Sequence, residues 1–234
     1  KTIERVKSKI FDTPIISTNK IYLGLVLKTL KKKKISKYKI VLEPSKKNTA
    51  AAIITSSLLD EIKLNQPILF LPSDHFMPST KVFNRILCST LKNLQNKNIL
   101  IFGIKPKTPS SDYGYLLNKK IGKNVNKVVD FIEKPKKNLA RKLIKKQALW
   151  NSGIVLARKD SIVNNAKIYQ KNLFSYCLKS LNKVNQNKKN FTLNKKFFDK
   201  IAPISFDYAV LEKIKEINSV SLNVEWSDLG SWSE

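Results

Sequence analysis

Two carboxylates stand where chemistry could be done. Asp74 closes the stretch PILFLPSDHF, in which Ile68, Leu69, Phe70 and Leu71 form an uninterrupted apolar run after Pro67. Asp228 follows LNVEWS in the same way. An apolar run of this length reads as a buried strand, and in open α/β sheets ligands gather beyond the carboxyl ends of strands. Asp74 is therefore expected at the rim of such a crevice. Two carboxylates delivered by separate strands could share one divalent cation. Mg²⁺ favours one or two carboxylates, with waters and substrate phosphates completing its shell. An acidic residue after a strand can equally cap the next helix, so spacing alone leaves both readings open. His75, the only histidine, adjoins Asp74; a lone histidine in such a place is more often structural than chemical.

The elements that must carry these residues alternate. PIISTN, YKIVLEP, PILFLPSD and NILIFGIKP read as strands, and KIYLGLVLKTLKKKK, TAAAIITSSLLDEIKL and STKVFNRILCSTLKNLQ as the helices between them. Asn48 or Thr49 can cap the second helix. This order predicts a Rossmann-like α/β fold, a doubly wound, mostly parallel sheet. After Pro106 the rhythm changes. DYGYLLNK and KVVDFIEKP, separated by the turn-like Gly122, Asn124 and Asn126, predict a small antiparallel insertion. NLARKLIKKQ reads as a helix and NSGIVLAR as a strand. SIVNNAKIYQKNLFSYCLKSLNKV reads as one long helix, and SFDYAVLEKIK as another with Ser205 as its cap. SVSLNVEW reads as a last strand ending at SDLG. No linker or repeat divides the chain, so 1–234 is expected to be one domain.

Composition narrows the function. At 234 residues and 42% apolar the chain can bury a substantial core, and no apolar run approaches the roughly 18 residues of a membrane span. The first residues have no signal-peptide pattern. Cys88 and Cys177 are far apart and lack metal-ligand or CxxC spacing, so two buried thiols in a reducing cytoplasm are expected. The formal charge of +28 raises nucleic-acid binding. Against it, only Arg5, Arg85, Arg141 and Arg158 of the 45 basic residues are arginine, the residue suited to bidentate recognition. Runs such as KTLKKKK also lack interleaved aromatics that could stack on bases. Solvated lysine faces that favour small anionic substrates are expected instead, with neither nucleic acid nor membrane as partner.

Several segments taken together sharpen this. LEPSKKNTAAAI, LFLPSDHF, FGIKPKTPSSDYGYL, VVDFIEKP, LWNSGIVL, ISFDYAVLEK and EWSDLGSW follow one another in this order. They closely resemble the mannose-1-phosphate guanylyltransferase family, including its bifunctional forms with a C-terminal phosphomannose isomerase domain. The resemblance covers essentially the whole chain. It implies the nucleotide-diphospho-sugar transferase fold and a reaction of GTP with mannose 1-phosphate, using Mg²⁺, that gives GDP-mannose and pyrophosphate.

Position by position, the resemblance implies that Asp74 and Asp228 bind the metal and that Lys134 of EKP contacts the sugar phosphate. It implies that Glu133 accepts hydrogen bonds from sugar hydroxyls, that Asn151 of WNSG meets the sugar with both donor and acceptor, and that Gly114 lets backbone approach it. Glu43, Asn48 and Thr49 match the segment near the guanine base, where the amides opening the helix could also face the nucleotide. Lys47 stands where the family usually has arginine, and Asp207 matches a position to which no role is assigned. Trp150, Trp226 and Trp232 are expected to be packing residues.

The family's glycine-rich GGxGxRLxPxS loop and the lysine motif after it have no counterpart here; none of the six glycines forms such a cluster. With no initiating Met and no evident stop, the chain is expected to be a fragment cut at both ends. As given it is expected to be inactive or nearly so, with a vacant sheet position. The alternatives are another sugar-1-phosphate nucleotidyltransferase and a non-catalytic paralogue that binds nucleotide sugars. A homo-oligomer is left open.

Overall fold

The computed structural model describes residues 2–92, 94, 98–122, 124–181, 186–187 and 189–229. The chain runs α1 (Thr2–Arg5), β1 (Ile15–Asn19), α2 (Leu23–Lys32), β2 (Lys39–Glu43), α3 (Asn48–Ser57), β3 (Pro67–Phe70), β4 (His75–Phe76), α4 (Thr80–Leu91) and β5 (Ile99–Ile104). It continues through β6 (Tyr115–Lys120), β7 (Asn126–Ile132), α5 (Lys137–Lys145), β8 (Leu149–Arg158), α6 (Lys159–Tyr169) and α7 (Lys171–Leu181). The last elements are β9 (Gln186–Asn187), β10 (Asn190–Thr192), α8 (Lys195–Phe198), α9 (Phe206–Ala209), β11 (Ile217–Leu222) and β12 (Ser227–Asp228). These form two compact units.

One unit comprises Lys1–Arg5, Leu64–Ser161 and Leu211–Glu234. Its sheet has six strands in the order β3-β8-β5-β11-β7-β6, with β8 also touching β6. β5 and β11 pair in parallel, while β8 runs antiparallel to both β3 and β5. All six residues of β5 are buried, as an apolar run between two partner strands and under a helix should be. The α/β expectation holds, and DYGYLLNK and KVVDFIEKP form the antiparallel pair β6–β7. The antiparallel part reaches further than that hairpin, because NSGIVLAR also runs against its neighbours. α4 buries Phe83, Leu87 and Thr90 on one stripe. Cys88 points off that stripe and is exposed, which corrects the expectation of two buried thiols; Cys177 is buried, and burial pushes its pKa up to about 11.

The other unit comprises Val6–Lys63 and Ile162–Val210. Its sheet order is β1-β2-β10-β9, with β1, β2 and β10 parallel. Ile40, Val41 and Leu42 of β2 are buried, and α3 buries Ala50, Ala51, Ile53 and Ile54. The long helix expected after β8 is two helices. Gln170 interrupts it, and its Nε2 donates to the Ala209 carbonyl at 2.8 Å. SFDYAVLEKIK forms only the single turn α9 and a 3-10 turn at Leu211–Lys213. Ser205 caps α9 as expected, accepting from the Tyr208 amide at 3.3 Å.

Candidate active site

The strand leading to Asp74 differs from its reading in sequence. β3 pairs only with β8 among the described residues, and Ile68, Leu69 and Phe70 are half-buried rather than buried. A strand with one partner strand has less cover than a central one. The strand also stops at Phe70, four residues before Asp74. What holds Asp74 is the ribbon β4–β12, two residues per strand, in which His75 lies opposite Asp228 and Phe76 opposite Ser227. The Leu229 amide donates to the Asp74 carbonyl at 3.2 Å. Residues 74 and 229 are thus joined by a hydrogen bond, which makes 75 and 228 the closer, non-bonded kind of antiparallel pair. Asp228 is accordingly not at the end of the last long strand: β11 ends at Leu222, and Asp228 belongs to the separate β12.

This ribbon gathers Asp74, His75 and Asp228. One side-chain ligand atom from each lies within 4.8 Å of the others, Asp74 exposed, Asp228 half-buried and His75 buried. Two carboxylates, one exposed and one half-buried, are a hard oxygen set and fit Mg²⁺. His75 contributes differently. The Trp226 indole Nε1–H donates to His75 Nδ1 at 3.3 Å, so in neutral His75 the proton sits on Nε2, and neither nitrogen is left as a ready ligand. Burial lowers the His75 pKa, opposed by the charges of Asp228 and Asp74, which favours that neutral form.

A second group of expected residues meets at the start of β6. The Asn151 amide donates to the Gly114 carbonyl at 2.8 Å, and Glu133 Oε2, Phe131 and Asn151 crowd the place a side chain at Gly114 would take. Gly114 therefore makes room first for Glu133, which modifies the reading that it makes room for the sugar. Asn151 is buried, and its Oδ1 accepts from the Gly153 amide at 3.1 Å, so its acceptor works within the chain. The adjoining Lys134 is exposed, with a backbone φ of 46°. A left-handed residue with a side chain costs about 1–2 kcal/mol, and such strain clusters at functional sites. An aromatic chain links this group to the carboxylates. Trp150 meets Tyr113 at 4.7 Å with the rings tilted, Tyr113 meets Trp226 at 5.4 Å, and Trp226 meets His75 at 5.1 Å. Trp150 and Trp226 are buried, as packing residues should be; Trp232 lies outside the described residues.

Glu43, Asn48 and Thr49 belong to the other unit. Glu43 is 8% exposed and accepts from Ser17 Oγ at 2.6 Å. Burial raises its pKa and that hydrogen bond partly offsets the rise. Asn48 adopts a φ of 66°, and its Oδ1 takes the Thr49 amide at 2.7 Å. The Ala50 amide donates to the Ile204 carbonyl at 3.2 Å, and Thr49 Oγ1 accepts from the Phe206 amide at 2.8 Å. Two of the amides expected to face a nucleotide are thus engaged inside the chain, and the expected cap is corrected: Lys47 stands at the N-cap of α3 with no side-chain cap hydrogen bond, because the helix already begins at Asn48. Lys47 donates to the Asp199 carbonyl at 2.7 Å, a tether within its own unit.

KTIERV, which resembles the helix that follows the family's glycine-rich loop, contains α1, but sequence reasoning gives Arg5 no role. Arg5 is 2% exposed and donates to the carbonyls of His75 and Met77 and to Thr2. Its one signal was the scarcity of arginine in a lysine-rich chain.

The fold agrees with what comparison shows. Residues 1–234 match the nucleotidyl transferase family, and the chain belongs to it. It is 30% identical over 241 residues to the mannose-1-phosphate guanylyltransferase of Escherichia coli, covering 99% of this chain and 52% of that protein. It is 29% identical to the alginate biosynthesis protein AlgA of Pseudomonas fluorescens, covering 100% of this chain and 49% of that protein. The chain thus spans about half the length of these curated relatives. In fold it is similar to the crystal structure of mannose-6-phosphate isomerase from Helicobacter pylori, with a TM-score of 0.87 at 23% identity over 97% of this chain and 89% of that one. It is also similar to UDP-glucose pyrophosphorylase, with a TM-score of 0.58 at 15% identity over 94% of this chain and 77% of that one. The resemblance read from the sequence, the family match and the name of the Escherichia coli relative agree on nucleotidyl transfer. No helix among the described residues is long and apolar enough to cross a membrane.

Proposed function

We propose that the protein is a mannose-1-phosphate guanylyltransferase of the cytoplasm, supplying GDP-mannose for polysaccharide synthesis. A phosphate oxygen of mannose 1-phosphate attacks the α-phosphorus of GTP in line. The new P–O bond forms as the bond to the β-phosphate breaks, and pyrophosphate leaves. The protein's task is positioning and charge neutralisation. Asp74 and Asp228 would hold a Mg²⁺, which when bound neutralises phosphate charge. Lys134 offers its ammonium as a point contact to the sugar phosphate, and Glu133 accepts from sugar hydroxyls beside Gly114 and Asn151. Glu43, Asn48 and Thr49 attend to the base. His75, neutral and tied to Trp226, braces the ribbon.

The observation that carries this reading is the ribbon pairing that gathers the two carboxylates within 4.8 Å. The test is pyrophosphate release by the full-length protein across a panel of nucleoside triphosphates and hexose 1-phosphates. Preferred turnover of GTP with mannose 1-phosphate is expected. Preference for another base or sugar would reassign the substrates, and nucleotide-sugar binding with no turnover under any pairing would refute the catalytic reading.

A further inference from the structure

We propose that Arg5 and Thr2 are positioning residues, a clamp from α1 that sets the Asp74–Asp228 pair for a divalent cation. The ribbon alone is a poor mount. It has two residues per strand, and an isolated two-stranded ribbon is marginal in water even when longer. Asp74 sits on the bend just before it and is exposed, so its own side chain has little packing to fix it.

The backbone around Asp74 is held by α1 as well. Thr2 Oγ1 reaches the carbonyls of Pro72 at 3.1 Å and Ser73 at 3.2 Å, sharing its one hydrogen between them. Arg5 Nη1 donates to that same Oγ1 at 3.0 Å, Nη2 to the His75 carbonyl at 2.7 Å and Nε to the Met77 carbonyl at 3.4 Å. With the Leu229 amide on the Asp74 carbonyl, the carbonyls of 72, 73, 74, 75 and 77 all receive hydrogen bonds. The acceptors of Arg5 are three neutral oxygens. Burying a guanidinium among them costs desolvation, and burial duly lowers its pKa. A rigid planar fork is what satisfies two carbonyls of one segment and the Thr2 hydroxyl at once; an ammonium on a flexible stem does not. Groups that orient metal-holding side chains typically change metal affinity by roughly 10- to 100-fold when altered.

This inference rests on the reading of Asp74 and Asp228 as metal-holding residues, and the experiment keeps the two apart. Mn²⁺ binding to the full-length protein is titrated by the loss of the free-ion EPR signal, with GTP present, for wild type, Arg5→Lys, Thr2→Val and Asp74→Asn. Urea unfolding is measured in parallel. Asp74→Asn is expected to abolish tight binding. Arg5→Lys is expected to weaken it roughly 10- to 100-fold in folded protein, and Thr2→Val to weaken it severalfold. Thr2→Val nearly preserves shape, so it carries the test if Arg5→Lys does not fold. If the folded variants bind Mn²⁺ as wild type does and only the unfolding midpoint moves, α1 is merely structural and the clamp is overturned while the metal reading stands. If Asp74→Asn binds as tightly as wild type, the metal reading falls and the clamp with it.

Discussion

Replacing Gly114 by alanine should separate substrate binding from folding. A Cβ at this position would lie inside any tolerable distance from Glu133 Oε2, with Phe131 Cζ at 3.4 Å and Asn151 Cβ at 3.5 Å on its other sides. The ring and the strand-borne Asn151 cannot withdraw, so the carboxylate must. It is the far end of a flexible side chain, so it is the group that gives way. Among the described glycines only Gly153 has a positive φ, so alanine at 114 meets no left-handed strain, and the restricted unfolded chain favours it by about 0.4–1 kcal/mol. In the proposed role, a displaced Glu133 would no longer accept from a sugar hydroxyl. A hydrogen bond to a charged group contributes about 1.5–3 kcal/mol, which is roughly 10- to 150-fold in Kd. Calorimetric titration with mannose 1-phosphate, beside urea unfolding, reads both quantities. Gly114→Ala should bind the sugar phosphate at least about tenfold more weakly with an unchanged or slightly raised unfolding midpoint. Unaltered affinity would refute the role given to Glu133, and a collapse in stability would refute the claim that the carboxylate is the group that yields.

Gly103→Ala should do the reverse. Its Cβ would meet Leu149 Cδ1 at 2.7 Å and Cβ at 2.8 Å inside the sheet, so urea unfolding should show a loss of about 1–3 kcal/mol from overpacking. Lys134→Ala should weaken use of mannose 1-phosphate in steady-state kinetics while leaving GTP binding intact; selective loss of GTP binding would contradict its role. Glu43 gives a pH signature. Its folded pKa lies above the ordinary value of 4.5 because of burial, so the native state holds that proton more tightly than the unfolded one. The stability this contributes is full below pH 4.5 and is lost as pH rises through the folded pKa. Glu43→Gln, which keeps an acceptor for Ser17, should therefore match wild type in thermal melts near pH 4 and exceed it at pH 7. A gap that is constant across pH would show that Glu43 titrates normally.

Residues reveal themselves in sequence to different degrees. β5 was legible because six buried residues in a row leave an apolar run that little else explains, and β6–β7 because turn residues separate two alternating segments. β4 and β12 were not, since two residues carry no periodicity; Asp228 was therefore attached to the preceding long strand. The apolar run before Asp74 misled about burial, because residue type does not say how many partner strands a strand will have. Asp74 and Asp228 stand out by their places after apolar runs, but only the resemblance of ordered segments chooses between ligand and cap, and Gly114, Glu133 and Asn151 are named by that resemblance alone. Arg5 escaped because its partners are backbone carbonyls, which every residue offers and no sequence marks. The amides of Thr49 and Ala50 look available in sequence because their partners, Asn48 in an unusual backbone conformation and Ile204 far along the chain, are set by tertiary structure.

The most direct test of the account is the turnover of GTP and mannose 1-phosphate by Asp74→Asn and Asp228→Asn in the full-length protein, followed by pyrophosphate release over a wide range of Mg²⁺. Each substitution keeps the size of the side chain and removes one anionic oxygen ligand. The account predicts that each lowers turnover by orders of magnitude and that added Mg²⁺ recovers little of it. Near-normal rates in either variant would contradict it, because the carboxylates gathered by the β4–β12 ribbon would then not be where the chemistry is done.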